Sequence, residues 1–343
     1  MLNPTEVPQS TDATQSPECL DVVVIGGGAA GLSAALVLGR SRRSVLVVDA
    51  GQPRNAPAAH MQGYLGRDGM PPGEFLAVGR QEVQRYGVRL TTDEVTDITA
   101  HGDGESDSDG GDSDGIGDFD VHLRNGPSVH ARRIVVATGL VDELPDIPGL
   151  AERWGRDVLH CPYCHGWEVR DRAFGVLAHP TLGAHQALLL TQWSQNITLF
   201  LHDVTELPDS QRAQLKAAGI PVVEGPVAAL VVAKGTDTDT STATDMLTGL
   251  RLAQGDVVPL DVLFAAGRPV PRDTLLRRLG ARTVPTPVGP YPEVDPTGRT
   301  SVPGVWAVGN AAGPTEQVIN AASAGYRAGV TINAELTFLD LGR

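Results

Sequence analysis

Residues 21–40 read DVVVIGGGAAGLSAALVLGR: an apolar β-branched run, a glycine-rich turn, then an apolar repeat of helical period. No other stretch constrains the fold as strongly. Gly26, Gly28 and Gly31 stand as G-x-G-x-x-G, and Asp49 closes the next apolar run, SVLVVDA at 44–50. In such a unit the first glycine makes the tight turn and the second lets a diphosphate approach the backbone. The third lets the helix pack closely on the strand. Free N–H groups at the helix start, around Ala29 and Ala30, then face the anion. Asp49, 21 residues beyond Gly28, is placed to accept from a ribose hydroxyl. Leu32, Ala35, Leu36 and Gly39 share one helical face, as packing on a sheet requires. A dinucleotide site is the reading, against a merely glycine-rich turn.

The pattern recurs near the middle of the chain. AFGVLA (173–178) reads as a strand, LGAHQALLLTQWS (182–194) as a helix, ITLFLH (197–202) and PVVEG (221–225) as further strands. Two βαβ units predict parallel sheets and an α/β chain of two Rossmann-like domains. The expected division is a first domain of 20–147 plus 258–343, crossing over at IPG (147–149), and a central part of 148–257. Residues 1–19 read as a disordered tail. HGDGESDSDGGDSDGIGD at 101–118 carries seven acids and six glycines, so it reads as a solvated loop insertion. KGTDTDTSTATD at 234–245 reads as a polar connection between two strands.

Charge and cysteine usage narrow the function. Lys+Arg 27 against Asp+Glu 41 gives −14, half of it from 101–118, which argues against nucleic acid or an anionic membrane as partner. No apolar run is long enough to span a bilayer and the start lacks a signal-peptide pattern, so a soluble, cytoplasmic protein is expected. Three cysteines exclude a disulfide scaffold, but Cys161-Pro162-Tyr163-Cys164 is a C-x-x-C. At an incipient helix start such a pair has a lowered thiol pKa, and the thiolate attacks disulfides or adds to an oxidised flavin. His160 and His165 flank the pair, and either could move a proton during exchange. Zinc held by His160, Cys161, Cys164 and His165 would need closure from six consecutive residues, so no metal is expected. The c-type haem pattern C-P-Y-C-H would need export, and an inert pair is the remaining alternative. Cys19 reads as an ordinary thiol.

IVVATGL (134–140), FAAGRPVP (264–271) and RTSVPGVWAVGNAAGPTEQVINAASAG (299–325) follow in order around CPYCHG (161–166). With the first glycine motif, this series resembles the low-molecular-weight thioredoxin reductase family of FAD-dependent pyridine nucleotide–disulfide oxidoreductases, over nearly the whole chain from residue 20. The resemblance implies FAD, bordered by Ala137, Thr138 and Gly139. It implies Gly309 and Asn310 at the ribityl chain, where the family has Gly-Asp, and Gln317 and Val318 before the isoalloxazine. Cys164 would be the flavin-facing sulfur and Cys161 the one exchanging with substrate. A homodimer is expected on the same ground.

The second nucleotide site of that family is damaged here. Aligned on its helix and strand, the small positions fall on Ala178, Pro180 and Gly183. A proline in the middle has no N–H and sets a ring where a pyrophosphate should approach. Leu201-His202-Asp203 stands where the family has arginines, and Asp203 would repel a 2′-phosphate. The site reads as degenerate. CPYCHGWEV, HQALLLTQWS, the Gly-Asn pair and PRNAPAAHMQGYLGRDG (53–69, with Asn55 taken as a cofactor contact) resemble the dithiol oxidases of the gliotoxin and holomycin type. That implies a small dithiol as substrate and O2 as electron acceptor, giving peroxide, with the dithiol held against the flavin in a fixed orientation. Three alternatives stay open. A ferredoxin or flavodoxin could reduce the flavin and the dithiol then reduce a thioredoxin-like protein; the chain could be an ordinary NADPH-dependent reductase; or it could be a non-enzymatic flavin-bound sensor or scaffold.

Overall fold

The computed structural model describes residues 19–101, 118–179, 184–233 and 245–342. Strand β1 (Cys19–Ile25) leads through the glycine turn into α1 (Ala29–Arg40), and β2 (Val45–Asp49) returns parallel to β1 with Val22 opposite Val45. Leu20, Val22, Val23 and Val24 are completely buried, because a parallel strand covered on both faces must be apolar on both. Then come α2 (Pro72–Gln84), β3 (Arg89–Thr92), β4 (Val95–Ala100), β5 (Phe119–Leu123) and β6 (Val129–Val136). They complete a sheet ordered β3-β2-β1-β6-β5-β4, in which β4, β5 and β6 run antiparallel.

Two boundary expectations change here. Cys19 does not belong to a tail: it opens β1 opposite His130, where it continues the ladder of an otherwise buried strand. The ends of the acidic segment are likewise part of the sheet, since the His101 N–H donates to the Asp118 carbonyl at 2.9 Å. Residues 1–18 and 102–117 lie outside the described residues.

After β7 (Leu140–Glu143) the chain enters a second sheet built from β8 (Val158–Leu159), β9 (Phe174–Leu177), β10 (Ile197–Phe200) and β11 (Val222–Val223). Helices α3 (Pro162–His165), α4 (His185–Leu190) and α5 (Asp209–Ala217) lie between them. The strands β9, β10 and β11 are parallel, as the second βαβ pattern predicts. Helix α4 stops at Leu190, short of the expected Ser194. The Ser194 hydroxyl donates to Arg172 O at 2.7 Å and accepts from Asn196 N at 3.0 Å, which turns the chain into β10. An antiparallel set of β12 (Val227–Ala233), β13 (Met246–Leu252) and β14 (Val257–Pro259) packs alongside. Residues 234–244, between β12 and β13, lie outside the described residues.

The return to the first sheet comes later than residue 258. That position falls inside β14, and β15 (Val262–Phe264) still pairs with both β9 and β8 of the central sheet. The crossing itself is a two-stranded ribbon, β7 antiparallel to β16 (Arg268–Pro271). Beyond it are α6 (Thr274–Arg278), a hairpin of β17 (Thr283–Thr286) and β18 (Gly289–Pro292), then β19 (Val305–Ala307), which pairs parallel with β6. The last element, α7 (Val318–Leu341), lies on α1 almost backbone to backbone: a Cβ on Gly325 would stand 1.9 Å from Ala30 O. No helix among the described residues is long and apolar enough to cross a membrane.

Candidate active site at a cavity between two sheets

One cavity of about 770 Å3 receives almost every catalytic and cofactor-contact candidate of the sequence. Its walls include Gly26, Gly28, Ala29, Ala30, Asp49 and Asn55, then Ala137, Thr138 and Gly139, Gly309, Asn310, Gln317 and Val318, and finally His160, Cys161, Cys164 and His165. Gly31 is the exception. It stands behind the wall, where a Cβ would lie 1.9 Å from Gly26 O, so it serves helix–strand packing rather than contact. Gly26 has φ +108°, a conformation costly for any side chain, and supplies the tight turn.

The first half of this cavity fits a dinucleotide. Helix α1 begins at Gly28 with no side-chain cap and no acid in its first turn, so its leading N–H groups are left for an anion. At Gly28 nothing lies within 4 Å of where a Cβ would stand, which leaves the backbone open to close approach. Asp49 accepts from Arg80 at 2.9 Å, and this cation fixes the carboxylate that the sequence assigns to a ribose. Nothing in the local sequence pattern marks Arg80; it arrives from α2.

The dithiol lines the same cavity. Cys161 precedes the short turn of helix α3, and Cys164 N donates to Cys161 O at 3.2 Å. Gln317, the residue that begins α7, spans both sulfurs: its Nε2 donates to Cys161 Sγ at 3.4 Å, and Cys164 Sγ donates to its Oε1 at 3.3 Å. The amide thus distinguishes two otherwise similar groups. The Cys164 thiol hydrogen bond, backbone N–H groups and Gln317 outweigh burial and bring the Cys161 pKa down to about 6. Cys164 moves the other way, because it keeps the shared proton and lies beside the Cys161 charge. Burial lowers the pKa of both His160 and His165, with Arg54 adding to the effect at His160, so both rings are neutral near pH 7. His160 Nδ1 is buried with no hydrogen-bond partner among the described residues.

Three features were not visible in sequence. Arg54 makes a two-pronged contact with Asp142, 2.7 Å from each nitrogen, and its Nη1 reaches Asn310 Oδ1 at 3.3 Å. Asn310 Nδ2 in turn donates to Gly313 O at 3.0 Å. Asn310 is therefore tied through Arg54 to Asp142 on β7. Gly155 touches the 53–69 loop so closely that a Cβ would lie 2.8 Å from Pro57 O, seating the central part on that loop. Glu316 also lines the cavity, its pKa raised by burial. PRN at 53–55 was the only available signal for Arg54, and it carries no partner information.

At the second βαβ unit, Ala178 is buried directly after β9. Pro180 and Gly183 lie outside the described residues. At the end of β10, His202 accepts from Val227 N at 3.0 Å through Nδ1 and faces Asp203 through Nε2 at 3.2 Å. These two residues stand where the resemblance implies arginines.

Comparison with known proteins agrees with this geometry. The profile of the pyridine nucleotide-disulphide oxidoreductase family matches residues 20–325. Thioredoxin reductase tcpT of Claviceps purpurea is 31% identical over 326 residues, spanning 92% of this chain and 94% of its own. Among solved structures, HlmI superposes with TM-score 0.84 at 47% identity, covering 94% of each chain. An oxidoreductase from Agrobacterium tumefaciens gives 0.81 at 34% identity, over 94% of this chain and 99% of that one. With a dinucleotide cradle and a dithiol lining one cavity, the chain belongs to the pyridine nucleotide-disulphide oxidoreductase family, as a thioredoxin-reductase-like enzyme whose cofactor is FAD.

Proposed function

We propose that the protein is a dithiol oxidase that needs no nicotinamide: a small dithiol becomes a disulfide, and O2 is reduced to H2O2. The observation that carries this reading is the Gln317 bridge. One residue at the start of α7 holds both sulfurs at the same cavity as the glycine turn, so the dithiol needs no domain rotation to reach the cofactor. Gly26, Ala29, Ala30, Asp49, Thr138, Asn310 and Val318 would hold the FAD. When bound, FAD accepts the electron pair of the dithiol and passes it to oxygen.

The chain's own residues account for the exchange. A substrate thiolate attacks Cys161 Sγ of the oxidised pair, the Cys161–Cys164 bond breaks, and Cys164 leaves with the electron pair and gains a proton. The second substrate thiolate then attacks the substrate sulfur of the mixed disulfide, closing the product and releasing Cys161 as thiolate. A low Cys161 pKa speeds that departure, since weaker bases leave faster. Cys164 must then give up its proton before its electrons move on. His165, one residue away, or His160 accepts it, each kept neutral by burial. Anaerobic titration tests the reading: dithiothreitol bleaches the yellow protein and NADPH does not. Bleaching by NADPH at comparable rates would refute it.

A second reading is favoured by one feature. Tyr163 and Trp167, on either side of Cys164, are 70% and 65% exposed, an unusual amount of aromatic surface beside a dithiol. A thioredoxin-like protein could dock there and exchange with Cys161, with ferredoxin or flavodoxin supplying electrons. Mixing photochemically reduced enzyme with oxidised thioredoxin separates the two directions. A cytoplasmic homodimer completes the proposal.

A further inference from the structure

The antiparallel edge of the first sheet gathers metal-binding side chains by register alone, at residues that do not line the cavity. Cys19 lies opposite His130, His130 opposite Asp120, and Asp120 opposite Thr99, across four neighbouring strands. His101 continues β4 beside Asp118. Alternation puts His101, Asp120 and His130 on one face of the sheet. Both oxygens of the Asp120 carboxylate meet imidazole nitrogens: Oδ2 lies 2.9 Å from His101 Nε2, and Oδ1 lies 3.0 Å from His130 Nδ1. The three ligand atoms fall within 4.8 Å of one another, and the two rings are 5.7 Å apart.

We propose that His101 Nε2, Asp120 and His130 Nδ1 form a site for a divalent transition cation of the zinc type, unconnected with the redox chemistry. Two imidazoles and one carboxylate are a borderline donor set that suits zinc and not magnesium or calcium. The far nitrogen of His130 stands 3.6 Å from Asp118 Oδ2. An outer carboxylate in that position orients a metal-bound imidazole and raises its basicity. The His101 side chain is half exposed, which leaves room for water to complete a tetrahedral shell. A bound ion would tie β4, β5 and β6 together, and since the unfolded chain lacks the register, binding would stabilise the fold.

The experiment uses the full chain with Cys161→Ser and Cys164→Ser, so that the dithiol cannot take the metal. Chelator-treated protein is titrated calorimetrically with zinc in excess magnesium, and separately with cobalt while the visible ligand-field bands are recorded. One equivalent is expected to bind. Adding His130→Ala or His101→Ala should each weaken zinc at least tenfold and remove the cobalt bands, and Asp118→Asn should weaken it about tenfold. Retained flavin colour and far-ultraviolet dichroism show that each variant is folded. No binding by the parent, or less than a tenfold loss in both histidine variants, would overturn the proposal.

Discussion

The β1–α1–β2 and β9–α4–β10 units share one plan, a parallel strand pair joined through a helix, yet their turn residues differ in kind. At the first, the strand ends on glycines, the helix starts uncapped, and Asp49 is held by Arg80. At the second, the strand ends on Ala178, the sequence continues with Pro180, and the next strand closes on His202 and Asp203. Topology creates a crevice at the carboxyl end of each sheet, but a few loop residues decide whether a dinucleotide is received there. The contrast also gives the dithiol its setting: it is carried by the central part and shares a cavity with the cradle of the other.

The sharpest break of this comparison is Cys164→Ser. Dithiothreitol-dependent bleaching of the flavin should fall on the order of 1000-fold or more, since a group that acts as part of a unit is removed; stopped-flow absorbance reads it. Gly31→Val comes next. Its Cβ would sit 1.9 Å from Gly26 O, so the protein should emerge colourless and destabilised by more than the ~1–3 kcal/mol usual for overpacking, as measured by flavin content and urea unfolding. Arg54→Ala leaves Asp142, whose side chain is 8% exposed, without its cation. A loss of about 3 kcal/mol in the same unfolding assay is expected.

Smaller effects probe the sulfurs and the second unit. Thiolate forms as pH rises through the thiol pKa, so alkylation of Cys161 in reduced protein should climb through about pH 6 and then level off. An ordinary thiol, at 9.0, would still be climbing well above that. Gln317→Leu removes one N–H donor to Cys161 and should move the midpoint upward; a rise of about one unit would slow the reaction at pH 6 about fivefold, because the parent is already half thiolate there. Asp203→Arg is the mildest change. It restores a cation but not the glycine cradle, so NADPH-driven bleaching should gain less than about tenfold, the order of one charged contact. A larger gain would mean that charge alone separates the two units.

Much of this was legible along the chain because glycine turns, β-branched runs and C-x-x-C are local patterns with local causes. The strand–turn–helix at 21–40 and the parallel pairing of β9 with β10 follow from them. The early return at 258 did not survive, because β15 pairs with β9 and β8, which lie far upstream in the chain, and pairing across that distance leaves no periodic trace. Helix α4 was read too long for a comparable reason: Ser194 is turned by a bond to Arg172, which a helical repeat does not reveal.

The amino-acid order alone determined the chemistry on offer: a dinucleotide turn, a dithiol between histidines, and a second βαβ unit with Pro180 and Asp203 at its turns. Folding decided how those parts meet. Only in three dimensions does Gln317 give one sulfur a donor and the other an acceptor, Arg54 join Asp142 to Asn310, and Gly155 bring the central part onto Pro57. The physical reason is that residue type and spacing fix what a group can do. Its protonation and its partner depend on neighbours that only the packed chain brings within a few ångströms.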